Sequence, residues 1–167
     1  LGNLRQLYRS ETRKAYTDYA YGGHAVPVWM DFEALNWLVN QKKIPTDAII
    51  VNGYSGDFVF GGHIPSQLVT EPKESTLVNK IIEKHCSHFR SKHFTDTKQR
   101  IENEIIEELN ATFGAECSTE CLCAFLEYWD WQERQVKAVV NGQRLYEVFG
   151  LDWLLPFWDK ALLDFWG

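Results

Sequence analysis

Apolar positions along this chain recur mostly at three- and four-residue spacing, the period of helices packed on one side. Leu4, Leu7, Tyr8, Ala15, Tyr16 and Tyr19 set such a stripe over residues 3–20, closed by Tyr21-Gly22-Gly23. Asp31 stands where it can cap a second helix reaching about Lys43, with Phe32, Leu35, Leu38 and Val39 on its buried side, before Pro45-Thr46 breaks it. A loop carrying Pro65 and Pro72 leads to helices near 75–89 and 97–113. The second has Ile101, Ile105, Ile106 and Leu109 on one stripe, and Glu102, Glu104, Glu107 and Glu108 make a solvated face. Ser118 or Thr119 opens a long helix from about 120 to 140, buried through Leu122, Phe125, Leu126, Trp129, Val136 and Val140. Asn141-Gly142 is its expected stop. Pro156 bars a helix through Leu154-Leu155-Pro156-Phe157, and Asp159 caps a last short one from Lys160 to Trp166.

Residues 49–63 break this period. The β-branched run Ile49-Ile50-Val51 predicts a short buried strand, which stops at Asn52-Gly53 and opens into the turn Tyr54-Ser55-Gly56-Asp57. Helix, turn, then strand fits a parallel βαβ layout, so the class is α/β, helix-dominated, with one or two strands visible. A Gly-rich turn at the carboxyl end of a parallel strand, carrying one carboxylate, is a common frame for a nucleotide site. The residue types alone equally allow an ordinary strand-to-helix turn.

Composition narrows the partners. With 45% apolar residues in 167, the chain can bury a sizeable core as a single domain, 1–167. Its net charge of −6 speaks against a general nucleic-acid binder, yet a phosphate site needs only local N–H groups and one or two cations. No apolar run approaches the length of a membrane span. Cys117, Cys121 and Cys123 with His85 and His88 suggest zinc, but Cys121 and Cys123 sit two apart and point to different faces of a helix. Reduced thiols in a cytoplasmic protein are the simpler expectation for these and for Cys86.

The stretch Asn52-Gly53-Tyr54-Ser55-Gly56-Asp57-Phe58-Val59-Phe60-Gly61-Gly62-His63 resembles a nucleotide motif of the asparagine-synthetase-like amidotransferases. That motif commonly reads Ser/Thr-Gly-acidic-Gly-small-Asp-Glu-Leu-Phe-Gly-Gly-Tyr. Gly53, Asp57 and Phe60-Gly61-Gly62 fall in register. Near the end, Gly150-Leu151-Asp152-Trp153-Leu154-Leu155-Pro156-Phe157-Trp158-Asp159 is similar to the family's Gly-Leu-Glu-Val-Arg-x-Pro-Phe-Leu-Asp. Two ordered matches are far more specific than either alone. Glu133-Arg134-Gln135-Val136-Lys137, followed by Tyr146-Glu147-Val148-Phe149-Gly150, is most similar to members from bacterial surface-polysaccharide gene sets.

The resemblance implies the C-terminal portion of an adenine-nucleotide alpha-hydrolase-like parallel-sheet domain, with the pyrophosphate loop and the first strands lying before residue 1. It implies that ATP activates a carbonyl as an adenylate, that ammonia displaces AMP, and that Mg²⁺ neutralises the polyphosphate. By the same resemblance Asn52, Gly53, Tyr54, Ser55 and Gly56 belong to the nucleotide or pyrophosphate cradle, and Asp57 takes the metal and catalytic position. Arg134 and Lys137, three apart on one helix, are further candidates to reach phosphate; the plainer reading makes them surface cations. His63 stands for a family Tyr and is expected to pack or bond structurally. The implied partners are a small-molecule or sugar-linked acceptor and an ammonia-supplying glutaminase, with no nucleic acid and no membrane. The departures matter too: Tyr54 and Phe58 replace acidic residues, and Leu154 replaces an arginine. They leave two competing readings open, a degenerate nucleotide-binding or scaffolding module and plain asparagine synthesis.

Overall fold

The computed structural model describes residues 11–21, 31–87 and 94–166. In chain order the elements are α1 (Glu11–Ala20), α2 (Phe32–Asn40), β1 (Ile49–Val51) and α3 (Gly56–Val59). Next come α4 (Ser66–Thr70), α5 (Glu74–Cys86), α6 (Phe94–Phe113) and α7 (Thr119–Asp130). A π-helix (Trp131–Val140), α8 (Asn141–Val148), β2 (Asp152–Leu154), a 3₁₀ turn (Pro156–Trp158) and α9 (Lys160–Trp166) complete the chain. Two compact units result: Leu1–Phe60 with Trp131–Gly167, and the intervening Gly61–Asp130.

The first unit buries Tyr16, Ala20 and Tyr21 at α1, Phe32 and Leu35 from α2, Leu145 and Tyr146 from α8, and Leu151. Arg13 is buried with them because its guanidinium has partners there: Glu33 at 2.6 Å and the face of Phe32 at 5.2 Å. The buried stripe of α1 is therefore Arg13, Tyr16 and Ala20, while Ala15 and Tyr19 of the expected stripe are exposed. Leu4, Leu7 and Tyr8 lie outside the described residues.

Strands β1 and β2 pair in parallel, with Ile49 opposite Asp152, Ile50 opposite Trp153 and Val51 opposite Leu154. The parallel layout is as expected; a buried strand is not. Ile49, Val51 and Leu154 are 55, 64 and 55% exposed, whereas Ile50 and Trp153 pack on the core. Side chains alternate across a strand, and this two-stranded sheet is covered on one face only, so every second residue is left outside.

Asn141-Gly142 also departs from expectation: it starts α8 instead of ending a helix. A Cβ on Gly142 would sit 3.2 Å from the buried Tyr21 hydroxyl, so close approach between helices explains this glycine. Asp159 caps α9 as foreseen, its Oδ1 accepting from the Ala161 N–H at 2.9 Å.

The second unit packs Leu68, Leu77, Val78, Ile81, Ile105, Leu109, Leu122 and Phe125 into one core. Full burial of each such side chain contributes about 1.5–3 kcal/mol. α4 was hidden by the flanking prolines, yet Pro65 immediately before its first residue is compatible with a helix start and Leu68 anchors it. Glu102 and Glu104 pair with Lys98 and Arg100 on the solvated side of α6. Cys117 and Cys121 form a disulfide across a Cα separation of 5.4 Å, which corrects the expectation of reduced thiols at these two positions. The turn through Ser118, whose Oγ accepts from the Cys121 N–H, brings them together. Cys86 and Cys123 are free, half-buried thiols, both pushed up by burial. Among the described residues no helix is long and apolar enough to cross a membrane.

Candidate functional site

The turn after β1 is built from backbone outward. The Asn52 N–H donates to Leu154 O at 3.0 Å and so extends the parallel ladder by one bond. Its side chain then works in both directions: Nδ2 donates to the Tyr146 hydroxyl, and Oδ1 accepts from the Tyr54 N–H, each at 3.2 Å. The second bond is an Asx turn, the local reason that Asn ends the strand. Gly53 and Tyr54 are exposed, and burial of part of its ring together with nearby Asp31 pushes the Tyr54 phenol up.

Ser55 is the centre of the turn. It is buried and held at φ 70°, in the left-handed region that costs a non-glycine residue about 1–2 kcal/mol. Its Oγ donates to Gln135 Oε1 at 2.8 Å and accepts from Trp158 Nε1 at 3.0 Å. Two hydrogen bonds contribute about 1 kcal/mol each, enough to offset the backbone cost. Gly56 is buried beside it, and a Cβ there would lie 3.0 Å from the Phe157 ring, so only glycine fits without moving that ring. Val59 and Phe60 donate to the carbonyls of Ser55 and Gly56 and close the short α3.

Asp57 follows at the surface. Its Oδ1 accepts from the Phe58 N–H at 3.0 Å, and the side chain is exposed. A single accessible carboxylate suits Mg²⁺ carried in on phosphate oxygens, because that ion usually takes one or two protein carboxylates. Among the described residues no three His, Cys, Asp or Glu side chains gather in a metal-binding group.

Arg134 and Lys137 lie on the π-helix, whose wider turn changes which neighbours share a face. Lys137 Nζ is held by both Glu133 carboxylate oxygens at 2.6 Å, and Arg134 is half-buried. Gln135, between them, is the residue that reaches the turn, and it is completely buried. Nothing in the sequence singles out Gln135 or Trp158 for this role. Neither carries a charge, and only the fold shows that both aim at one hydroxyl.

On α8, Glu147 gathers Tyr19 OH at 2.6 Å, Trp153 Nε1 at 2.9 Å and Arg144 Nε at 3.4 Å. Burial pushes its carboxyl up, but the three donors together outweigh that and hold it below the ordinary range.

In the second unit His63 bonds structurally, as expected: its Nδ1–H donates to Asp130 Oδ2 at 2.8 Å. Asp130 is 1% exposed and also faces Lys84 Nζ at 2.8 Å and His85 Nε2 at 3.7 Å. His63, Lys80 and Lys84 line a cavity of about 280 Å³ nearby. Burial pushes the neighbouring Glu127 carboxyl up; His63 opposes that and Asp130 adds to it. No sequence signal pointed to Asp130, since its partners come from two distant segments, His63 after α3 and Lys84-His85 on α5.

No protein-family model, curated protein or solved structure matches the chain.

Proposed function

We propose that this chain is the C-terminal portion of an ATP-dependent amidotransferase or carbon-nitrogen ligase of the asparagine-synthetase-like kind, acting in surface-polysaccharide assembly. One observation carries the reading. The three stretches that resemble that family, separated along the chain, converge on Ser55: the turn itself, Gln135 from the Glu133–Lys137 run, and Phe157-Trp158 from the Pro-Phe run. The backbone demands agree with the motifs as well. The motif's second glycine falls on Ser55, which sits at φ 70°, its small residue falls on Gly56 against Phe157, and Gly61 and Gly150 both adopt φ 72°.

In this reading the Asn52–Gly56 backbone cradles the pyrophosphate end of ATP, and Asp57 holds the Mg²⁺ that travels with it. The ion supplies charge neutralisation on the phosphates, and the chain orients them. Arg134 and Lys137 remain the candidate cations for phosphate, Lys137 on release from Glu133. The acceptor is a small or sugar-linked carbonyl compound, an associated glutaminase supplies ammonia, and the work is cytoplasmic.

A second reading is favoured by specific replacements. Tyr54, Phe58 and Leu154 stand where that family carries charge, and Leu154 is exposed with no charged substitute at its position. Those features suit a nucleotide-binding or scaffolding module without turnover, and they weigh against plain asparagine synthesis.

Asp57→Asn in the full-length protein separates the readings. Removing the charge at a metal position is expected to lower pyrophosphate release at saturating Mg-ATP by about a hundredfold, with the fold intact. If Asp57 serves only its local bond to Phe58, Asn is nearly silent, since Asn serves helix starts about as well. Turnover within threefold of wild type supports the module reading.

A further inference from the structure

We propose that Ser55 is a positioning residue, held by Gln135 and Trp158 in a left-handed conformation that fixes where the Gly56 and Asp57 backbone and the Asp57 carboxylate are presented. The inference rests on the nucleotide reading of this turn for its functional half; its structural half stands on the geometry alone.

Four facts carry it. Ser55 adopts a backbone conformation that side chains rarely take, at φ 70°, and it does so two residues before Asp57, which bears the exposed carboxylate. Its hydroxyl gives its one proton to Gln135, accepts from Trp158 and is buried, so it acts as a fastener inside the turn. Gln135 has no exposed surface, so its amide oxygen meets Ser55 in a dry environment where hydrogen bonds are directional and hard to exchange for water. Gln135 also lies in the middle of a ten-residue π-helix, a conformation poorer in packing than an α-helix and retained mostly where a side chain must be aimed.

The aiming has a visible second part. Trp131, four residues before Gln135 on the same π-helix, meets the Trp158 ring at 6.1 Å and 74°. In the wider π turn, Trp131 and Gln135 share the face turned to this corner. One contacts the indole of Trp158 while the other contacts the hydroxyl that this indole's N–H reaches. The π-helix, the 3₁₀ turn and the turn after β1 thus meet at a single oxygen. Below it, the Gly56 backbone packs so closely on Phe157 that a Cβ would meet the ring at 3.0 Å, so the turn is gripped from two sides.

A fastener of this kind acts on the order of the turn and not on the chemistry directly. Loss of one hydrogen bond leaves the core of the unit in place but lets residues 52–57 sample other conformations, which lowers the fraction of molecules with the carboxylate presented correctly. Catalysis that depends on donor placement is sensitive to such shifts.

The test uses the full-length protein with Gln135→Met, Ser55→Gly and the double variant. Gln135→Met keeps length and burial while removing the acceptor. Ser55→Gly keeps the left-handed backbone accessible while removing the fastener. Two readouts are taken: hydrogen exchange of the amides at residues 52–59, and pyrophosphate release resolved into kcat and KM for Mg-ATP. Each single variant is expected to speed exchange of the turn about tenfold or more, with peptides from α1 and α8 unchanged. Each is expected to lower kcat about tenfold with KM moving less than threefold, and the double variant to match the worse single one, because both remove the same bond. Exchange of the turn as slow as wild type in both single variants overturns the proposal, as does a double variant whose kcat loss is the product of the two. If wild type releases no pyrophosphate, the nucleotide reading falls, and the exchange data still decide whether Ser55 fastens the turn.

Discussion

Asp130→Asn tests how far the stability of the Gly61–Asp130 unit depends on one buried charge. The Asp130 carboxylate is 1% exposed and faces Lys84 and the His63 ring at 2.8 Å each, so it is nearly cut off from water. The Lys84 side chain keeps 30% of its surface, so the pair is buried at one end and open at the other. Removing one partner of a fully buried pair costs about 3–5 kcal/mol. The open end and the retained hydrogen-bonding capacity of Asn argue for the charged-hydrogen-bond range instead, about 2–3 kcal/mol in total. Lys160 and Asp164 provide the internal control: they form an i,i+4 pair with side chains 85 and 61% exposed. Asp164→Asn is expected to change stability by less than about 0.5 kcal/mol. The assay is urea denaturation followed by hydrogen exchange of peptides within 61–130, which reads this unit separately. A cost for Asp130→Asn below that of Asp164→Asn refutes the reasoning, and so does a loss spread equally over peptides from α1 and α8.

Gly142→Ala reverses an ordinary expectation. Alanine in a helix normally stabilises by up to about 1 kcal/mol, but here the new methyl would meet the Tyr21 hydroxyl, which the Tyr16 hydroxyl also contacts at 3.1 Å. A net loss of about 1–2 kcal/mol is expected by urea denaturation, and a stabilised variant contradicts the close-approach account. Glu127→Gln tests pH dependence. Because burial raises the Glu127 carboxyl above its ordinary 4.5, the folded state holds the proton more tightly than the unfolded one. Its contribution is present below that value and is lost as pH rises through the folded pKa. Denaturation midpoints of wild type should therefore fall relative to those of Glu127→Gln from about pH 4.5 upward, and parallel curves refute it.

Much of this protein was legible in its spacing. The helices α2, α5, α6, α7 and α9 follow from apolar period, helped at α7 and α9 by the Ser118 and Asp159 caps, because those signals act within one or two turns of the chain. Asp31, the expected cap of α2, makes no side-chain cap bond. The strand Ile49–Val51 and the Asn-Gly turn after it were equally local, a β-branched run ended by an Asx turn. Asp57 and its neighbours stood out through the resemblance of the whole 52–63 stretch to a family motif, since glycine and a carboxylate are ordinary turn residues. What failed were positions where a residue answers to something distant. Gly142 reads as a helix stop until Tyr21 is seen above it, the stripe of α1 omits Arg13 until Glu33 and Phe32 appear beside it, and Ile49 and Val51 read as core until the sheet is found covered on one face.

The sequence by itself therefore determined the helical period, the strand, the turn chemistry and the carboxylate. The tertiary structure alone decided the parallel pairing register, the burial of Gln135 and the convergence on the Ser55 hydroxyl. The physical reason is one of range. Period, caps and turns are satisfied by neighbours a few residues away, so the chain carries them in full. A hydrogen bond between residues 80 apart, or a missing Cβ that admits a tyrosine, depends on a partner that only the folded backbone brings near.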